Sequence, residues 1–164
     1  MKRILIFICL PLLLIFIQCD EEEAQIKQLR IELWGGTSAL GTLSTIGLIA
    51  KDDIFYHSFN KNNYLGLKSI IFTAKLMSTQ SDNDCILELY NLTDKTAIDS
   101  SALASHSAER LESGNLIEYF PDYDIGLTIR LRTESSNVFV TFSSAYLYLI
   151  YGVDRAIAYL RIRL

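Results

Sequence analysis

Residues 125–150 read IGLTIRLRTESSNVFVTFSSAYLYLI, and their period decides the fold class. Ile125, Leu127, Ile129 and Leu131 alternate with Gly126, Thr128, Arg130 and Arg132. Successive side chains of a strand point to opposite faces, so this pattern describes a strand with one apolar and one wetted side. Glu134-Ser135-Ser136-Asn137 is a turn cluster, because short polar side chains bond nearby backbone. Val138 to Ile150 then forms a long β-branched and aromatic run, a second strand.

The same period recurs upstream. Ile70, Phe72, Ala74 and Leu76 alternate with Ile71, Thr73, Lys75 and Met77. The polar stretch STQSDND, Ser78 to Asp84, joins this run to Cys85, Leu87 and Leu89, which alternate with Ile86, Glu88 and Tyr90. Leu29, Ile31 and Leu33 alternate with Arg30, Glu32 and Trp34 before Gly35-Gly36 ends the run. Ala156 to Leu164 alternates again, with Leu160, Ile162 and Leu164 opposite Tyr159, Arg161 and Arg163. Residues 37–47 suit a loop or edge strand, Lys51-Asp52-Asp53 a turn, and Phe55 to Leu65 a loop or bent strand. Only residues 94–112 look at all helical, and Ser, Thr and Asp interrupt them. Short strands, frequent turns and no helical period predict an all-β antiparallel sandwich of about eight strands, one domain over residues 26–164.

Further residues carry a resemblance. Leu89-Tyr90-Asn91-Leu92-Thr93-Asp94, a polar loop, Arg110 with Ser113, Tyr123 before an alternating strand, and Ala145-Tyr146-Leu147 follow one another in order. Over residues 68–151 this resembles the jelly-roll modules of carbohydrate-binding and phage-fibre-like β-sandwich proteins. The resemblance implies a binding or structural module and assigns no ligand residue.

The N-terminus is of a different character. Lys2 and Arg3 precede the nearly unbroken apolar run Ile4 to Ile17, which stops at Gln18-Cys19 and the acidic Asp20-Glu21-Glu22-Glu23. The run falls short of the roughly 20 residues that span a bilayer, and its plan is that of a targeting peptide. Ile15-Phe16-Ile17-Gln18-Cys19 resembles the lipobox of bacterial lipoproteins, departing from it at Gln18, where a small residue is usual, and at bulky Phe16. The resemblance implies a signal peptide at 1–18, lipidation at Cys19, a tether at 19–25 and a place in the cell envelope, on the outer membrane. Loss of residues 1–18 leaves 146 of the 164 residues, and loss of Lys2 and Arg3 takes the net charge from −4 to −6. A domain of that charge repels phosphate backbones, so nucleic acid is not an expected partner.

Little else in the chain suggests chemistry. Of the three cysteines, Cys9 lies in the apolar run, Cys19 takes lipid, and Cys85 sits in a strand-like run far in sequence from His57 and His106. A buried, structural thiol is the expectation, with no intramolecular disulfide in the mature domain. The pairs Asp52/Asp53, Asp82/Asp84 and Asp122/Asp124 offer the hard oxygens calcium prefers, yet Asp is also ordinary turn currency, and turns are the favoured role. Gly35-Gly36 with Gly41-Thr42 lacks the lysine and following helix of a phosphate loop. No cofactor is implied. Arg130, Arg132, Arg161 and Arg163 lie at one strand period, as an anion site or as cross-strand partners for Glu, with the second expected.

Aromatics remain. Nine tyrosines are present, and amphipathic rings serve as platforms for sugars. If Leu33, Leu89, Leu147 and Leu149 face the core, Trp34, Tyr90, Tyr146 and Tyr148 face outward as candidate ligand-binding residues. The expected function is a membrane-anchored, non-catalytic module for a glycan or another envelope or host component. The alternative is a structural subunit of an envelope complex, and a glycan hydrolase stands third.

Overall fold

A computed structural model describes residues 27–35, 39–50 and 56–152. The strands are β1 (Lys27–Trp34), β2 (Leu40–Thr42), β3 (Leu48–Ile49), β4 (Tyr56–Phe59), β5 (Leu67–Ser78), β6 (Cys85–Asn91), β7 (Thr96–Ala97), β8 (Leu103–Ser105), β9 (Glu109–Glu112), β10 (Ile125–Thr133) and β11 (Val140–Tyr151). A single 3-10 turn, Lys61–Asn63, is the only helical element among the described residues.

All pairings are antiparallel, in two sheets: β1-β11-β5-β9 with β2 also on β11, and β3-β10-β6-β7 with β4 also on β10 and β8 also on β6. β1 and β2 share one long partner, as do β3 with β4 and β7 with β8, so the described residues fill eight strand positions. The first of these pairs with the last, the second with the seventh, the third with the sixth and the fourth with the fifth. That nesting is an antiparallel ribbon rolled into a sandwich, the order of a jelly roll.

The alternation read from the sequence sets the core. Ile70, Phe72, Leu76, Val140, Phe142, Leu147 and Leu149 of one sheet face Cys85, Leu87, Leu89, Ile125, Leu127, Ile129 and Leu131 of the other, all at most 1% exposed. Each such large side chain contributes about 1.5–3 kcal/mol on leaving water.

Register shifts interrupt the β1–β11, β4–β10 and β5–β11 pairings, and two of them decide faces read from the sequence. On β11, Phe142 pairs with Leu76 and Ser144 with Lys75, so Ser143 is an extra residue and the inward phase passes from Val140 and Phe142 to Ala145, Leu147 and Leu149. On β1, Glu32 pairs with Tyr146 but Trp34 with Ala145. A bulge inserts one residue and so reverses the face of everything beyond it.

Residues 94–112 are not helical: they hold β7, β8 and β9, short strands whose length hides their period. Residues 37–47 supply the edge strand β2, and 55–65 supply β4 and the 3-10 turn. The Lys51-Asp52-Asp53 turn, the 156–164 strand with Arg161 and Arg163, and everything proposed for residues 1–25, Cys19 included, lie outside the described residues.

Candidate ligand-binding cleft

The structure separates the four aromatics singled out from the sequence. Trp34 does not face outward: the β1 bulge sets it opposite inward-facing Ala145, and its half-buried ring packs on the core, 5.5 Å from Phe142. Tyr90 takes the outward phase but is only 7% exposed, with the Arg130 guanidinium 4.9 Å over its ring. It is covered, and so not offered as a platform. Tyr146 and Tyr148 do share the outer face of the first sheet. Their half-buried rings lie 6.3 Å apart; Arg30 sits 4.9 Å over Tyr146, and Arg110 Nη2 donates to Tyr148 Oη at 2.9 Å.

The acidic candidates for calcium are placed as follows. Asp124 accepts from Ser58 Oγ and Asn60 Nδ2, each at 2.9 Å, and those two bonds, Asn60 first, hold its carboxyl below the usual range. Asp122 pairs with Lys61 Nζ at 3.1 Å, and Asp84 lies 3.3 Å from His106 Nδ1. Asp82 is exposed. Among the described residues no three His, Cys, Asp or Glu side chains converge on a metal position.

Arg130 and Arg132 act as cross-strand partners. Both Nε atoms donate to Oε1 of buried Glu88, at 2.7 and 3.4 Å. Gly47 makes room for Arg130: its φ of +111° favours glycine, and a Cβ there would meet Arg130 Cγ at 2.8 Å. Cys85 is fully buried and donates its thiol to the Thr141 carbonyl at 3.3 Å. Burial pushes that thiol up to about 11, which leaves almost no thiolate for attack at neutral pH.

A concave surface lies at one end of the sandwich. A cleft of about 450 Å³, within the range of small-ligand sites, opens between the β6–β7 corner and the loop at 116–124. One wall is Asn91, Asp94, Thr96, Ala97, Ile98 and Asp99; the other is Glu118, Tyr119, Phe120, Pro121 and Tyr123.

Each wall is fixed from beneath. Asn91, 2% exposed, accepts the backbone N–H groups of Thr93 and Asp94 on Oδ1, at 2.9 and 3.1 Å. Its Nδ2 donates to Asp94 Oδ2 at 2.7 Å, so the corner and its carboxylate are set by one buried amide. Opposite, Leu116 and Phe120 are buried, and Phe120 packs 5.0 Å from Phe59. Lys61 Nζ donates to the carbonyls of Ile117 and Phe120 at 3.2 and 2.6 Å, binding the loop to the 3-10 turn. With Phe120 and Asp124 both anchored, Tyr119 and Tyr123 stay at the surface, 46% and 49% exposed.

The two walls meet where Tyr123 Oη donates to Asp94 Oδ2. That bond stabilises the protonated phenol and raises its pKa. The phenol is therefore a neutral, fixed ring, while Asp99 and Glu118 make no side-chain hydrogen bond or ion pair. Rings with one apolar face and carboxylates able to accept hydroxyl protons are the equipment of a polyhydroxylated ligand.

None of this cleft was singled out from the sequence as a site, although Asn91, Asp94 and Tyr123 were noticed as fold positions. Strand phase says nothing about loops, and the cleft is built from loops. A signal was present in Glu118-Tyr119-Phe120-Pro121-Asp122-Tyr123-Asp124, a loop dense in aromatic and acidic residues, since binding groups concentrate on loops carried by a rigid scaffold. Compared with known proteins, the chain matches no protein-family model and no curated protein.

Proposed function

We propose that the chain is a bacterial lipoprotein of the cell envelope, anchored through Cys19 to the outer membrane, whose jelly-roll domain binds a glycan without turning it over. One observation carries the binding proposal: the end cleft presents two half-exposed tyrosines beside carboxylates, on walls held rigid by Asn91 and Lys61. A preorganised site loses less entropy when it binds. Hydrolysis would need two carboxylates roughly 5–10 Å apart across the bond, one of them kept protonated. Here Asp94 is engaged by Asn91 and Tyr123, while Asp99 and Glu118 lie exposed at the rim rather than enclosed around a bond.

The test is a glycan array probed with the full chain in detergent, repeated with Tyr119→Ala and Tyr123→Ala on every hit. Loss of a true aromatic contact costs about 2 kcal/mol, roughly thirtyfold in affinity. Hits indifferent to both changes remove the cleft. A glycan that is cleaved, with cleavage abolished by Asp99→Asn or Glu118→Gln, removes the non-catalytic assignment.

A second function, subunit of an envelope complex, draws on the first sheet's outer face. Met77 and Phe139, 47% and 44% exposed, lie at one end of the sheet that carries Tyr146 and Tyr148. Cross-linking of envelopes from these positions to one defined protein would favour it.

A further inference from the structure

We infer that the cleft selects glycans bearing free amino groups, that is, de-N-acetylated amino sugars, over N-acetylated and uronic-acid glycans. This rests on the glycan-binding proposal and specifies its ligand class.

The argument is one of complementarity within a cavity already defined by its tyrosines. The lining holds three carboxylates, Asp94, Asp99 and Glu118, and no Lys, Arg or His. Of the cations beside it, Lys95 is exposed on the β6–β7 corner between Asp94 and Thr96 without joining the lining, and Lys61 is engaged behind the loop, where its Nζ meets the Ile117 and Phe120 carbonyls and pairs with Asp122. Asp94 keeps a place on its carboxylate beyond the Oδ2 that receives Asn91 and Tyr123, and Asp99 and Glu118 are unpaired. A uronic acid would bring a like charge to three others. A neutral sugar would find rings and hydroxyl acceptors. A sugar ammonium would add charge-assisted hydrogen bonds and attraction to the tyrosine faces, both stronger in a recess than on open surface. A basic peptide shares the charge but not the fit, because β7, the strand beside the cleft, is two residues long and too short a template for strand addition.

The experiment is calorimetric titration of the full chain in detergent with glucosamine hexamer, N-acetylglucosamine hexamer, galacturonate hexamer and hexalysine, at low and high salt. The glucosamine hexamer should bind about tenfold tighter than its acetylated counterpart at low salt, a gap that several exposed charge contacts supply together. The gap should close at high salt, where screening shortens the reach of charge. It should also close in the double variant Asp99→Asn/Glu118→Gln, in which the glucosamine hexamer loses more affinity than the acetylated one. Equal or tighter binding of the acetylated hexamer overturns the inference and leaves the glycan function standing. Hexalysine binding as tightly as the glucosamine hexamer, and lost in the same double variant, overturns it as well, since charge alone then selects. Failure of all three sugars, together with an empty glycan array, overturns both.

Discussion

Trp34→Ala distinguishes strand phase read from the sequence from the register in the structure. On strict alternation Trp34 is a ligand platform, and its loss should weaken binding while leaving stability nearly unchanged. In the structure the β1 bulge turns it onto the core beside Phe142, with ring centroids 5.5 Å apart. A fully buried Trp→Ala costs about 3–5 kcal/mol, and half-burial takes that to roughly half. The aromatic pair contributes about 0.5–1.5 kcal/mol more, for a total of about 2–4 kcal/mol. For a domain of this size the melting temperature should fall by roughly 10 °C. Because Trp34 is the chain's sole tryptophan, melting is best followed by far-UV circular dichroism, with ligand affinity measured well below the transition. Affinity should stay within about twofold of the parent. A melting temperature within about 2 °C of the parent, with affinity down thirtyfold or more, would refute the bulge argument.

Other consequences follow from particular contacts. Cys85 should resist maleimide in the native protein and react on unfolding; rapid native labelling would contradict its burial. Because burial raises its pKa from 9.0 to about 11, its share of stability is whole below pH 9 and declines as pH rises toward the folded value, by up to about 1.4 kcal/mol per unit. Cys85→Val should flatten that part of a denaturation-versus-pH curve. Glu88→Gln should cost about 2 kcal/mol, because it leaves two partly buried guanidinium groups without their shared carboxylate, and Arg130→Met on the same chain should restore part of this. Equal melting of Glu88→Gln and parent would show the cluster to be a solvated pair. Cys19→Ser should abolish incorporation of labelled fatty acid and release the protein from membranes; a labelled, membrane-bound variant would end the lipoprotein proposal.

The long strands were legible because their alternation survives packing intact. Leu87, Leu89, Leu127, Ile129 and Leu131 are where a period of two sets them. Failures came where one residue changes a phase or where other groups cover a face. Trp34 lies beyond a bulge, and bulges leave only a faint trace in sequence, such as the small polar pair Ser143-Ser144 at the other one. Tyr90 obeys its phase, but Arg130 of β10, which stands opposite Glu88 on β6, closes over it. The short strands β7 and β8 have two and three residues, too few to show any period. The cleft needs the corner at Asn91 and the loop at Tyr123 brought together from distant parts of the chain, which only the rolled topology does.

The most direct test of the central claim is the affinity of the full chain for a glycan hit, measured on parent, Tyr123→Ala and Tyr148→Ala side by side, with each shown to be folded. Binding through the end cleft predicts a loss of roughly thirtyfold for Tyr123→Ala and less than about twofold for Tyr148→Ala. The reverse order, with Tyr148→Ala abolishing binding and Tyr123→Ala leaving it intact, would move the site to the outer sheet face and contradict the account.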